Sequence, residues 1–134
     1  MNWKLVFLLS LFGLAMGIAT VFAIPSKVEP FCWLAIFVVC AWLIAQHAPR
    51  LPFLHGLMVG IVNGVWVTAA HVLLFEPYMA RHPAEAEMMQ RSIVHAPRLM
   101  MLIVGPIVGV ISGCILGLFA IAASRIVRRR PAAA

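Results

Sequence analysis

Charge is what this chain has least of. Only 10% of its 134 residues are Asp, Glu, Lys or Arg, and 4 of them are acids, where a soluble domain carries about 25% charged residues. Four stretches, 5–24, 31–46, 53–75 and 99–124, contain none. With 64% apolar residues and a mean hydropathy of +1.05, a soluble globular domain is excluded. The uncharged stretches also lack the embedded carboxylate or charge pair on which proton- or cation-coupled transport normally depends. Period-two alternation is missing as well, which excludes membrane strands. Three cysteines, Cys32, Cys40 and Cys114, form no Cys-x-x-Cys, which excludes a dithiol oxidoreductase of the usual kind. No nucleophile, acid–base pair or cofactor motif appears, so the chain is expected to be neither an enzyme nor a cofactor protein.

What is present is apolar length. A run of 20 residues is about 30 Å as a helix, the thickness of the hydrocarbon core. The sequence therefore predicts an all-α integral membrane protein, a single membrane domain over 1–134 built as a four-transmembrane-helix bundle. The spans are 5–24, 31–46, 53–75 and 99–124, with an outer loop at 76–98 and a basic tail at 125–134. Lys4 and the Val21-Phe22-Ala23 stretch give the first span a second reading as a cleaved signal peptide. Six basic residues, Lys4, Arg50, Arg125, Arg128, Arg129 and Arg130, share one side, and all 4 acids fall on the other with Lys27, Arg81, Arg91 and Arg98. Both termini are thus expected in the cytoplasm. Eight Arg to two Lys fits a GC-rich bacterial genome, hence a bacterial inner membrane.

All 9 glycines fall in four-residue repeats: Gly13 and Gly17 in the first span, Gly56, Gly60 and Gly64 in the third, Gly105, Gly109, Gly113 and Gly117 in the fourth. A step of four drifts by about 40°, so each set is a slanting stripe on one helix face. Lipid gives no hydrophobic drive to helix association, and such stripes allow close backbone contact instead. The third and fourth spans are expected to form a tight antiparallel hairpin, with the first against it; the alternative is that a stripe joins copies of the chain. Pro106 should bend the fourth helix.

Few polar groups enter the spans. Asn63, His71 and Ser112 are the candidate lining of a pore, or simply interhelical glue. His71 shares a face with Gly60 and Gly64. In the outer loop, Pro83, Glu85 and Glu87 mark a helix start, with Met88, Met89 and Ile93 as an apolar side, so a short amphipathic helix is expected there. The loop also gathers His82, Glu85 and His95 among methionines, a donor mixture that suits copper. Arg125, Arg128, Arg129 and Arg130 form a stop signal able to hold anionic lipid headgroups; no nucleic-acid role is expected. Three functions follow: a structural, assembly or interaction subunit packed through glycine stripes, with a homo-oligomer or membrane-protein partner; a small oligomeric channel or transporter; or a periplasm-facing copper binder.

Overall fold

The computed structural model describes residues 1–91 and 96–129. Among the described residues there are six helices and no strand: α1 (Trp3–Phe22), α2 (Glu29–His47), α3 (Pro52–Leu73), α4 (Phe75–Arg81), α5 (Pro83–Gln90) and α6 (Pro97–Arg129). Four of them, α1, α2, α3 and α6, are long and apolar enough to cross a membrane.

Proline sets most of the boundaries. Pro30, Pro52 and Pro83 occupy the first turns of α2, α3 and α5, where a missing N–H costs nothing. Pro77 acts on the helix before it. It has no N–H for the Leu73 carbonyl, and its ring crowds that carbonyl, so α3 ends at Leu73. The chain turns at Leu74 (φ −103°, ψ 38°) and starts α4. The third span therefore ends two residues before the expected Phe75, and α4 occupies what the sequence reads as plain loop. His82 is pushed out of the helical region by Pro83 (φ −122°, ψ 68°), and α5 follows. No residue of α5 is buried, and Met88 stands exposed.

The helix α6 has 33 residues, about 50 Å at 1.5 Å per residue. It runs unbroken through Pro106 and continues past Ser124, where the sequence ends the span, to Arg129. Arginine is a good helix former, and no breaker intervenes before Pro131.

The helices α1 and α3 run parallel. The Asn2 N–H donates to His55 Nε2 at one end (2.9 Å), and Thr20 Oγ1 meets His71 Nε2 at the other (2.9 Å). The helices α3 and α6 run antiparallel, with Gly56 opposite Gly117 and Gly64 opposite Gly109. This is the most extensive helix contact in the molecule; α1 lies on α3 and α2 on α6. Phe37 of α2 meets Phe119 of α6 edge-on at 6.4 Å.

The buried apolar cluster sits toward one end: Val6 and Leu9 of α1, Cys40, Ala41 and Ile44 of α2, Val59 of α3, and Leu116 and Ala120 of α6. That end also carries Lys4, Arg50, Arg125 and Arg128 and is called the basic end below. The opposite, α4 end carries α4, α5 and all 4 acids.

One backbone position is strained. Leu51 caps α3 in the left-handed region (φ 76°, ψ 47°), which costs a residue with a Cβ about 1–2 kcal/mol. Its side chain is exposed, so little packing is at stake. Leu51→Gly should raise thermal stability by about 0.5–1 kcal/mol after glycine's own entropic cost, and Leu51→Val should lower it. Paired melts in one detergent check both signs.

Candidate functional site

Three groups of residues stand out: the glycine contact between α3 and α6, a row of polar groups between α1 and α3, and an aromatic cluster at the α4 end.

At the first, backbone meets backbone. A Cβ built on Gly60 would run into the Gly113 backbone; one on Gly56 would lie 2.6 Å from Gly117 Cα, and one on Gly64 2.7 Å from Gly109 Cα. From the other side, Gly113 faces Leu57, Gly117 faces Phe53, and Gly105 faces the Thr68 side chain. Gly109 is looser, 3.1 Å from Gly64 Cα on the same construction. The α1 glycines meet the other flank of α3, Gly13 at Asn63 and Gly17 at Val67 and Ala70. Real Cβ atoms do not approach backbone below 3.0 Å, and backbone cannot step aside as a flexible side chain can.

Along α1 and α3 the polar groups pair across the helices. His55 is enclosed, its Nδ1 on the Leu51 carbonyl (2.9 Å) and its Nε2 accepting from Asn2 N–H, which fixes the neutral tautomer with hydrogen on Nδ1. Trp66 Nε1 donates to Ser10 Oγ (3.3 Å), and Ser10 donates to the Phe7 carbonyl (2.8 Å). Between these pairs lies Asn63, 4% exposed, with neither Nδ2 nor Oδ1 hydrogen-bonded.

At the α4 end, Tyr78 lies flat between two imidazoles. The His71 ring is 4.1 Å away at 23°, and the His82 ring 4.3 Å away at 21°. His82 Nδ1 contacts the Tyr78 carbonyl (3.0 Å), and its Nε2 is enclosed without a partner. Arg81 donates to the carbonyl of Phe22 at the C-terminus of α1, and the Ser26 hydroxyl donates to Glu85 (2.9 Å). These contacts hold α4 and α5 to α1 and the turn after it. Burial pushes the Tyr78 phenol up to about 12, with Glu85 and Glu29 adding in the same direction.

The candidate pore residues are not brought into one lining. Asn63 and His71 face α1, whereas Ser112 lies half-buried on α6 beside Gly113, and no hydrogen bond reaches Asn63 from it. His71 finds Thr20 of α1, not α6, as its partner. Of the candidate copper ligands, His82 is 1% exposed, Glu85 is engaged by Ser26, and His95 lies outside the described residues. Among the described residues no group of three His, Cys, Asp or Glu side chains converges as a metal site. At the basic end Arg125 is exposed and Arg128 donates to the Pro49 carbonyl (2.7 Å); the Arg129 side chain and Arg130 lie outside the described residues. The ion pairs Arg91–Glu87 and Arg98–Glu76 are both exposed and contribute little.

The fold thus defines an all-helical chain with four helices of membrane-crossing length and composition. No protein-family model, curated protein or solved structure matches it.

Tyr78 is the one tyrosine of the chain, so its ionisation is read without overlap. The tyrosinate absorbance of the folded protein should appear only toward pH 12, against about 10 for a free tyrosine. The raised value favours the neutral phenol in the folded state. Its stabilising contribution is complete below about pH 10 and is lost as the pH rises toward the folded value. Glu85→Gln should bring the transition down.

Proposed function

We propose that the protein is a four-helix bundle of a bacterial inner membrane, N-in and C-in, that works as a structural, assembly or interaction subunit without catalysis. The observation that carries this reading is the α3–α6 contact. Helices whose backbones touch along Gly56, Gly60 and Gly64 leave no lumen between them, and such contact is how helices associate where solvent gives no hydrophobic drive. The spread of large apolar side chains on the outside supports immersion in lipid: Phe7, Leu8, Phe31, Val38, Ile103, Ile107, Ile111 and Leu118 are all exposed. The first span, held to α3 by Gly13 and Gly17, is better read as a retained helix than as a cleaved signal. The arginines of the basic end, Arg125 and Arg128 among them, fit anionic headgroups at the cytoplasmic face. Partners would be the bilayer and another membrane protein or a second copy.

The test is to tighten the contact until it fails. Gly60→Leu and Gly113→Leu should each destabilise the protein by about 3 kcal/mol or more, since overpacking here meets backbone. The expected result is loss of the monodisperse detergent-solubilised protein and of whatever co-purifies with the tagged wild type from native membranes. Wild-type melting of either variant, with the co-purifying species retained, would overturn the reading.

The second reading, a small oligomeric channel or transporter, is favoured by one observation, the unpartnered Asn63 amide in the middle of α3. The two readings diverge at Asn63→Leu. In a structural subunit this change removes two buried polar atoms that have no partner, so stability should hold or rise by up to about 1 kcal/mol. In a channel it should also abolish flux through proteoliposomes that the wild type conducts.

A further inference from the structure

The cluster at the α4 end is built from groups that a packing role does not require. Two imidazoles sandwich a phenol, and one of them keeps a bare, enclosed nitrogen. Hydrogen-bond logic fixes where the protons are. The Tyr78 carbonyl can only accept, so His82 carries its hydrogen on Nδ1, and the lone pair of its neutral ring is on Nε2. The Thr20 hydroxyl donates to the Met16 carbonyl (2.9 Å), so it accepts from His71, which carries its hydrogen on Nε2. With both rings neutral, the three aromatic planes stack without conflict.

A proton on His82 Nε2 changes this. It creates an N–H with no acceptor in an enclosed place. Burying a charge without a partner costs far more than one cation–π contact with Tyr78 returns. Few groups face the cluster in compensation. Among the described residues, α3 brings His71, a second site for positive charge, and α1 brings the Thr20 hydroxyl and the Phe22 carbonyl, the latter taken by Arg81. The carboxylates are Glu29 of α2 and Glu85 of α5, near enough to act on Tyr78, with Glu85 already held by Ser26. A protonated His82 reaches water and these carboxylates only by leaving its place.

We propose that α4 is a proton-operated latch: neutral His82 closes the stack on Tyr78 and holds α4 to the ends of α1 and α3, and protonation of His82 opens it. Opening uncovers Thr20 and His71 at the end of the α1–α3 contact. The latch responds to acidification on the side of the membrane that α4 faces. This goes beyond a structural subunit, because it gives the α4 end a state that solvent sets.

The sole tyrosine makes the test direct. The full chain, labelled with ¹³C-tyrosine and ¹⁵N-tryptophan and with the Trp66 indole assigned by its substitution to Phe, is placed in nanodiscs of phosphatidylcholine and phosphatidylglycerol and followed by NMR from about pH 8 to about pH 5. At the upper end the Tyr78 ring signal should carry the upfield ring-current shift of a ring stacked on both faces. On acidification it should move reversibly to the position of an unstacked tyrosine while the Trp66 indole signal stays in place. His82→Phe, which stacks and cannot be protonated, should stay upfield throughout, and His82→Gln should be unstacked throughout. An unchanged wild-type signal across the range overturns the proposal, as does a His82→Phe titration matching the wild type or a Trp66 signal that moves together with Tyr78. If His82→Phe does not fold, the wild-type titration with the Trp66 control decides alone.

Discussion

The distance between α3 and α6 is the constraint on which the rest of the arrangement hangs. With Gly60 against Gly113 and Gly64 against Gly109, the separation of these two helices is set by main-chain atoms, which have no rotamers to trade. In water such a contact would be a small supplement to apolar burial. Between helices surrounded by hydrocarbon it is the main attractive term, because lipid tails solvate leucine as well as a neighbouring helix does. Close approach fixes the separation but not by itself the register, since the stripes repeat every four residues and a slide of one turn sets glycine opposite glycine again. The positions of α1 and α2 follow, each lying against one member of this pair.

The contact of α1 with α3 is made differently. Gly13 and Gly17 bring the helices near, yet the pairings that set its length are polar, Asn2 with His55 at one end and Thr20 with His71 at the other. Hydrogen bonds between membrane helices contribute only about 0.6 kcal/mol each on average. They act by direction: each is satisfied at one rotation and one height of α1, and the glycines permit several. Asn63, lying between them with both amide atoms unpaired, is the exception. It lies between the Asn2–His55 pair and the Trp66–Ser10 pair, where Gly13 packs on it and no hydrogen bond reaches its amide.

The four long helices were legible because charge and proline punctuate them. Each uncharged run corresponds to a helix of membrane-crossing length, with boundaries that differ by a few residues. Where they differ most, the reason is local. Pro77 ends α3 early by acting four residues upstream, and α6 outlasts its apolar run because hydropathy ends where helix propensity does not. The glycine spacing predicts which faces are narrow, and the facing pairs of α3 and α6 are read directly from the structure. The partner of His71 was not legible. Periodicity places a side chain on a face but does not say which neighbour occupies that face, and here α1 meets α3 where the glycine stripe points to α6.

The aromatic stack was hidden for a related reason. Tyr78 and His82 are four apart in sequence, yet the chain breaks at Leu74 and again at His82, so no single helical period runs from His71 through Tyr78 to His82. The two breaks are what bring the rings together: a continuous α3 would carry Tyr78 about 10 Å beyond His71 along the axis. Pro77 and Pro83 therefore do more than end helices. By interrupting α3 they fold the next turn back over the end of α1, where Arg81 takes the Phe22 carbonyl and Tyr78 covers His71. The same fold leaves His82 shut in with a bare nitrogen, so the α4 end holds groups whose charge can change, whereas the glycine contact of α3 and α6 contains none.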